Sequence, residues 1–323
     1  MKYKKFLITG GLGFIGGNFL KILTNKYPKS KFLNIDKFTY AASKDLAKEL
    51  KRRKNYNFHK VDICDFNKLK KKFDDFNPDI VIHFAAESHV DNSITKPDDF
   101  INTNIIGTYN LLKLLKKKTK IIHISTDEVF GEANKKSFTE SSKYNPRSPY
   151  SATKASSDHL VRAWSNTYGI NYNIINSSNN FGPYQNKEKF IPVVINSIIN
   201  KKKIPLYGNG KNIREWIYVD DFINAIEFLI KKAIPNQTFL IGSGYAEKNI
   251  DLINKIIKII KKETEFKIEK NLIKYVKDRA GHDRVYKINS NKIRKLGWKH
   301  KIQLNDGLLK TIKHYINLSK KLL

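Results

Sequence analysis

Cysteine and methionine occur once each in the 323 residues, and 30 acidic side chains stand against 61 basic ones. A lone cysteine, Cys64, excludes an internal disulfide framework and a cysteine-rich metal site. No uninterrupted apolar run is long enough to span a bilayer, so no membrane partner is expected. The basic start, Met1-Lys2-Tyr3-Lys4-Lys5 before an apolar run, imitates a secretory leader. That run is broken by Gly10, Gly11, Gly13, Gly16 and Gly17 and passes into a helix-like pattern, so a cytoplasmic protein is expected. Arginine is scarce too, at positions 52, 53, 147, 162, 214, 279, 284 and 294, so lysine carries nearly all of the +31 net charge. Specific phosphate and base readout favours arginine, and no nucleic-acid motif accompanies the lysines. No specific nucleic-acid partner is therefore expected. The runs 70–72, 116–118 and 201–203 are read as helix ends, where cations complement the dipole.

What is present argues for an ordered enzyme-sized chain. At 40% hydrophobic and 12% aromatic residues the composition excludes disorder, and the length allows one large or two medium domains. Phe6-Leu7-Ile8, Phe32 to Ile35, Ile80 to Phe84 and Ile121 to Ile124 are short apolar runs. Helical patterns over 14–23, 66–73 and 101–115 separate them, which predicts a parallel sheet covered on both faces. Beyond residue 180 the pattern loosens at Pro183, Pro192, Pro205 and Gly208-Asn209-Gly210, and helical periods return over 219–231, 250–260 and 308–318. The expected fold is α/β: a Rossmann-type doubly wound parallel sheet over 1–180. A smaller, interleaved carboxy-terminal substrate-binding lobe follows over 181–323, with some segments returning to the sheet domain.

Gly10, Gly13 and Gly16 follow the first strand and open the first helix, where backbone N–H groups can approach a pyrophosphate. Alone, such a turn is weak evidence. Asp36, at the end of the second strand, supplies the carboxylate for ribose hydroxyls and favours NAD over NADP by repelling a 2′-phosphate. Asp62-Ile63 borders the same region, although a loop aspartate is nearly as good a reading. Ala85-Ala86-Glu87-Ser88-His89 follows the fourth run, with residues small enough for close passage of a cofactor. His89 alone would be a structural histidine; within this run ligand contact is the favoured reading. Tyr150 and Lys154 share a helical face, and an ammonium nearby favours an ionised phenol. Thr126-Asp127-Glu128 adds a hydroxyl and two adjacent carboxylates, whose pKa values tend to be pushed apart. Arg214 and Arg279 have forks that match diphosphate oxygens; surface ion pairs are the equal alternative.

Together these residues resemble the extended short-chain dehydrogenases/reductases, and within them the dTDP-glucose 4,6-dehydratases. The likeness runs through TGGLGFIGG (9–17), DKFTYA (36–41), HFAAESHVDNSI (83–94), STDEVFG (125–131) and SPYSATKASSDHLVRA (148–163). It continues through NSSNNFGPYQNKEKFIP (176–192), YGNGKNIREWIYVDD (207–221) and DRAGHDR (278–284). The resemblance implies that Phe14, Ile15, Asp36, Lys37, Asp62, Ile63, Ala85, Ala86, Thr103, Tyr150, Lys154 and Asn180 surround NAD. It places Ser88, His89, Thr126, Asn179, Lys189, Phe190, Tyr207, Arg214, Asn249, Asp278, Arg279 and His282 near a nucleotide-sugar substrate. Six positions depart from the family pattern: Asn92 and Val285 where arginine is usual, Ala280 where proline is, and Gly244-Tyr245-Ala246 where His-Asn-Glu is.

The implied reaction is oxidation at the sugar's carbon 4 with Tyr150 as base, loss of water through Glu128 and Asp127, and return of hydride at carbon 6. Lys154 would hold the ribose, Thr126 the hydroxyl. A 4-epimerase or decarboxylase on the same scaffold is the near alternative, since both share the glycine turn and the Tyr/Lys pair. A noncatalytic NAD- or RNA-binding protein is the alternative of another class. Segments 101–115 and 150–168 are similar to those that form the family's dimer interface, which implies a homodimer.

Overall fold

Phe6 and Ile8 pack into one apolar cluster and Leu7 into another, so the first strand is covered on both sides. Side chains alternate along a strand, and only a sheet with helices on both faces buries both sets. The computed structural model describes residues 3–320 apart from 134, 135, 267, 270 and 280. Its first six strands are β1 (Lys5–Thr9), β2 (Lys31–Asp36), β3 (Tyr56–Lys60), β4 (Ile80–His83), β5 (Lys120–Thr126) and β6 (Tyr172–Ser177). The remainder are β7 (Asn179–Phe181), β8 (Ile204–Tyr207), β9 (Ile213–Tyr218), β10 (Gln237–Ile241), β11 (Ala246–Lys248) and β12 (Ile273–Val276).

Among the described residues, seven strands form one sheet in the order β10-β6-β5-β4-β1-β2-β3, with every neighbouring pair parallel. The order reverses between β1 and β4, and a crevice opens at such a switch beyond the carboxyl ends of the strands. Gly10 after β1 and Ala85 after β4 meet there.

A second cluster is built by helices Phe190–Ile199, Asn249–Glu263 and Leu304–Lys320 around β7, β8 and β9. β9 serves both cores: Ile217 packs with the sheet, Trp216 and Tyr218 with the second cluster. The chain also returns to the sheet after residue 181, because Phe222, Ile226 and Leu229 of helix Val219–Lys232 and Phe239 of β10 join the cluster of Phe6.

Two expectations need correction. The helical segment over 101–115 is not uniform: Ile101–Gly107 is π-helical and Thr108–Leu114 α-helical. The wider turn carries buried Asn104, whose side chain bonds the Glu87 N–H and carbonyl (2.9 and 3.0 Å) and Thr153 Oγ1 (2.9 Å). Such bulges concentrate at functional sites. Lysines 70–72 lie within helix Phe66–Phe76, where Lys70 and Lys71 are exposed and Lys70 pairs with Asp74, so amphipathicity rather than the dipole places them.

Candidate active site

The crevice begins at the glycine turn. Gly10 has φ +69°, and a Cβ there would lie 2.5 Å from the Ala85 nitrogen; one on Gly16 would lie 2.4 Å from the Gly10 carbonyl oxygen. Both positions exclude any side chain, which keeps the backbone bare at the amino end of helix Phe14–Lys26. Gly13 caps that helix without a side-chain bond, so its first N–H groups face outward. Two adjoining cavities share Gly10, Gly13, Phe84, Ala86 and Glu87. The first is lined by Asp36, Lys37, Asp62, Ile63, Ala85 and Thr103, all expected at a cofactor. The second, about 280 Å³, takes in Phe14, Ile15, Gly16, Ser88, Thr126, Asp127, Glu128, Tyr150, Lys154, Asn179, Asn180 and Lys189. Two joined cavities with a bare helix amino end at their shared wall fit a dinucleotide. Asp36 accepts from Leu12 N (2.9 Å) and Phe38 N (2.7 Å), which ties the carboxylate to the glycine turn. Lys37 pairs with Asp62 at 2.8 Å. Asn180 is fixed through its amide nitrogen to Ser177 Oγ (2.6 Å), leaving its buried Oδ1 without a protein partner.

The reactive groups converge from two elements. β5 ends at Thr126 and delivers Asp127 and Glu128 on the single turn Asp127–Phe130. Helix Pro149–Tyr168 delivers Tyr150 and Lys154; its start is fixed by Pro149 and by reciprocal bonds between Ser148 and Ser151. Burial pushes the Tyr150 phenol well up, and the Glu128 carboxylate adds to this; the Thr126 hydroxyl, bonded to the phenol, offsets part. Lys154 is buried and donates to the Ile124 carbonyl oxygen at 2.7 Å. Burial brings its ammonium down to about 8, and Asp158 opposes the fall. The expectation that the ammonium nearby favours an ionised phenol is opposed here by burial and by the neighbouring carboxylates.

The two carboxylates differ as expected, and their surroundings explain why. Burial raises Asp127 well above the carboxylate range, then Glu128 and Glu215 add to it, and its buried Oδ2 has no protein partner. Burial also raises Glu128, but Arg214, Lys189 and Arg279 pull it back. Asp127 is thereby pushed toward its protonated form more strongly than its neighbour.

Other residues expected near substrate lie outside the lining of these two cavities. Arg214 on β9 is held by the carbonyls of Ile213, Asp283 and Arg284 (2.8, 2.8 and 3.3 Å) and stacks 4.1 Å over Tyr286. Arg279 makes a two-pronged pair with Asp91 (2.5 and 2.9 Å) and lies over the Tyr207 ring; Tyr207 also donates to Asp91 at 3.3 Å. Asp278 accepts from the Arg279 N–H, and its carboxylate lies 2.6 Å from His282 Nδ1. Phe190 stacks on Trp216, and Asn249 opens helix Asn249–Glu263 with a buried Oδ1 lacking a partner. His89 caps helix Val90–Thr95, its Nδ1 likewise buried and unpartnered. Lys189 reaches back to the Ser88 carbonyl at 2.7 Å, joining the two groups of residues.

Asp91 and Tyr40 escaped sequence reasoning, although both sit inside the quoted motifs; only the fold shows that Asp91 meets Arg279. Asn92 donates to Tyr40 Oη at 3.1 Å, and Tyr40 lines the cleft. Tyr245 bonds Gln303 and lies 3.3 Å from His300, and Ala246 pairs with Glu215 on β9. The Val285 carbonyl accepts from Ala133 N at 2.9 Å. Ala280 lies outside the described residues.

Fold and site are those of an extended short-chain dehydrogenase/reductase, and the GDP-mannose 4,6 dehydratase family model matches residues 7–311. The dTDP-glucose 4,6-dehydratase of Haemophilus influenzae is 42% identical over 96% of this chain and 97% of its own. The dTDP-glucose 4,6-dehydratase of Streptomyces venezuelae, solved with NAD bound, superposes with a TM-score of 0.92 at 34% identity, covering 98% of each chain. A UDP-glucuronic acid 4-epimerase from Bacillus cereus, also solved with NAD, reaches 0.89 at 27% identity over 97% of this chain and 99% of its own. The chain belongs to the dTDP-glucose 4,6-dehydratase family.

Proposed function

We propose that this protein converts dTDP-glucose to dTDP-4-keto-6-deoxyglucose, with NAD as its resident coenzyme. The observation that carries the reading is the buried Asp127 and half-buried Glu128 beside Tyr150, one carboxyl pushed toward its protonated form by burial and like charge, the other drawn back by three cations. A 4-epimerase has no water to expel and needs no such pair, so its similar fold does not compete.

The glycine turn, Asp36, Asp62, Ala85, Ala86, Thr103 and Asn180 hold the coenzyme. Bound there, NAD would supply the acceptor and later donor of the carbon-4 hydride, and a positive charge that counters the burial of the phenol. Tyr150 takes the proton of the carbon-4 hydroxyl, which Thr126 orients. Lys154 gives one hydrogen to Ile124 and has two left for ribose hydroxyls. The carbon-4 ketone acidifies the hydrogen on carbon 5, which Glu128 removes and gives back to carbon 5 once carbon 6 is reduced. Asp127 donates its proton to the departing carbon-6 hydroxyl. Lys189, Arg214 and Arg279 provide the cationic wall for the diphosphate. For Arg279, the diphosphate has to replace Asp91.

The test is incubation with dTDP-glucose carrying deuterium on carbon 4, with UDP-glucose in parallel. The expected product is a 4-keto-6-deoxy sugar with the label on carbon 6. A 4-epimer, or label lost to water, would refute the assignment. The family resemblance also supports a homodimer in the cytoplasm. Ile101, Ile106 and Tyr109, 37–45% exposed, and Tyr168 at 53% lie on the segments that would meet a second copy. Exposed apolar side chains grouped this way favour association. Sedimentation should give twice the chain mass; a monomer at micromolar concentration would remove the dimer.

A further inference from the structure

Behind Thr126 and Lys154 lies a buried polar cluster that these steps leave unused. Asp158 is fully buried on helix Pro149–Tyr168, four residues after Lys154 and eight after Tyr150, a spacing that keeps all three along one stripe. Its Oδ2 accepts from Ser125 Oγ (3.0 Å), Tyr144 Oη (2.7 Å) and Asn176 Nδ2 (3.0 Å), and Oδ1 lies 3.2 Å from His123 Nε2. Asn176 Nδ2 also donates to the Thr126 carbonyl oxygen at 3.1 Å. Ser125 stands between Thr126 and Ile124, whose carbonyl receives Lys154. Two of these contacts, Ser125 and Asn176, therefore lead to the strand end that carries the reactive groups.

Fold stability alone does not account for it. A buried carboxylate is often matched or bettered by apolar residues of similar volume. The three Oδ2 donors are neutral, so its charge is balanced from further off. The titratable groups facing it are His123 on β5, Tyr144 from the preceding loop, Tyr150 at the helix start, and Lys154 and Arg162 on its own helix. His83 on β4 faces Lys154 from the other side, with its ring 5.3 Å from that of His123. Burial brings His123 down to about 4, so both it and His83 are neutral at physiological pH.

We propose that Asp158 is a positioning residue of this active site: through Ser125 and Asn176 it fixes the strand end bearing Thr126, and its carboxylate stands one helical turn beyond Lys154. The inference rests on the roles given above to Tyr150, Thr126 and Lys154. Burial opposes ionisation of Asp158, but the His123 N–H and the Lys154 and Arg162 cations outweigh it and hold the carboxyl below its ordinary range.

Asp158→Asn keeps the shape and removes the charge. Without it, Lys154 loses its proton more easily and Tyr150 ionises more easily, so both limbs of the pH–rate profile for sugar oxidation move to lower pH, by about one unit. The profile is read from the transient absorbance of reduced coenzyme in single turnovers of holoenzyme. Asn176→Ala keeps the charge and breaks the link to Thr126; kcat falls about tenfold with KM and both limbs in place. Unmoved limbs in folded Asp158→Asn, or full kcat in Asn176→Ala, overturn the proposal. Should Asp158→Asn not fold, Asn176→Ala and Ser125→Ala decide, and full kcat in both refutes it. Failure of the underlying reading is separate, because it would leave Tyr150→Phe active.

Discussion

Tyr150→Phe is expected to lower turnover by about a thousandfold while leaving the protein folded and loaded with coenzyme. The ring is 8% exposed and meets Phe100 edge-on, a contact that phenylalanine preserves. Only the oxygen goes, and with it the acceptor for the carbon-4 hydroxyl proton. The Thr126 hydroxyl cannot substitute, because an alcohol is too weak a base in a buried site. The residual rate should show no deuterium transfer to carbon 6. Turnover within tenfold of the native protein would mean that another group takes the proton.

Asp127→Asn and Glu128→Gln are expected to cost about a hundredfold each in water loss and much less in oxidation. The two substitutions fail at different points. Glu128→Gln cannot remove the carbon-5 hydrogen, so exchange of that hydrogen with solvent stops. Asp127→Asn still allows exchange, but the carbon-6 hydroxyl leaves without a proton. Mass analysis of rapidly quenched mixtures should show the 4-keto hexose nucleotide building up in both. A sign follows for pH as well. Glu128 is the leading charge that raises Asp127, so Glu128→Gln lowers the pH at which Asp127 loses its proton. The alkaline limb of the residual dehydration moves down, not up. Full dehydratase turnover in the double variant would sink the assignment of both carboxylates.

Much of the site was legible in one dimension because its pieces are local. The glycine turn, the strand end at Thr126-Asp127-Glu128 and the Tyr150/Lys154 stripe are each short stretches whose geometry follows from strand, turn or helix. Each sits at the carboxyl end of a parallel strand or the amino end of the next helix, so their meeting in one crevice follows from the topology. The buried apolar strands gave the sheet for the same reason. Less was legible where partners are distant in sequence. Arg279 is 188 residues from Asp91, and nothing in either motif shows that they pair. Arg214 reads as a phosphate fork, yet three backbone carbonyls hold its guanidinium, which only the approach of residues 283 and 284 to β9 provides. Lysines 70–72 looked like a helix end because a run of like charge carries no signal of where the helix stops.

The sequence by itself determined which chemical groups the crevice has and in what order the chain supplies them, since hydrogen-bonded strands, bare turns and helical stripes are set by neighbours in the chain. Their charge states were decided only by the tertiary structure. The phenol raised by burial, the ammonium brought to about 8, and the Asp127 carboxyl raised further than that of Glu128 depend on how much water is removed and which distant cations stand near. Desolvation and through-space charge belong to the packed molecule, not to any stretch of residues.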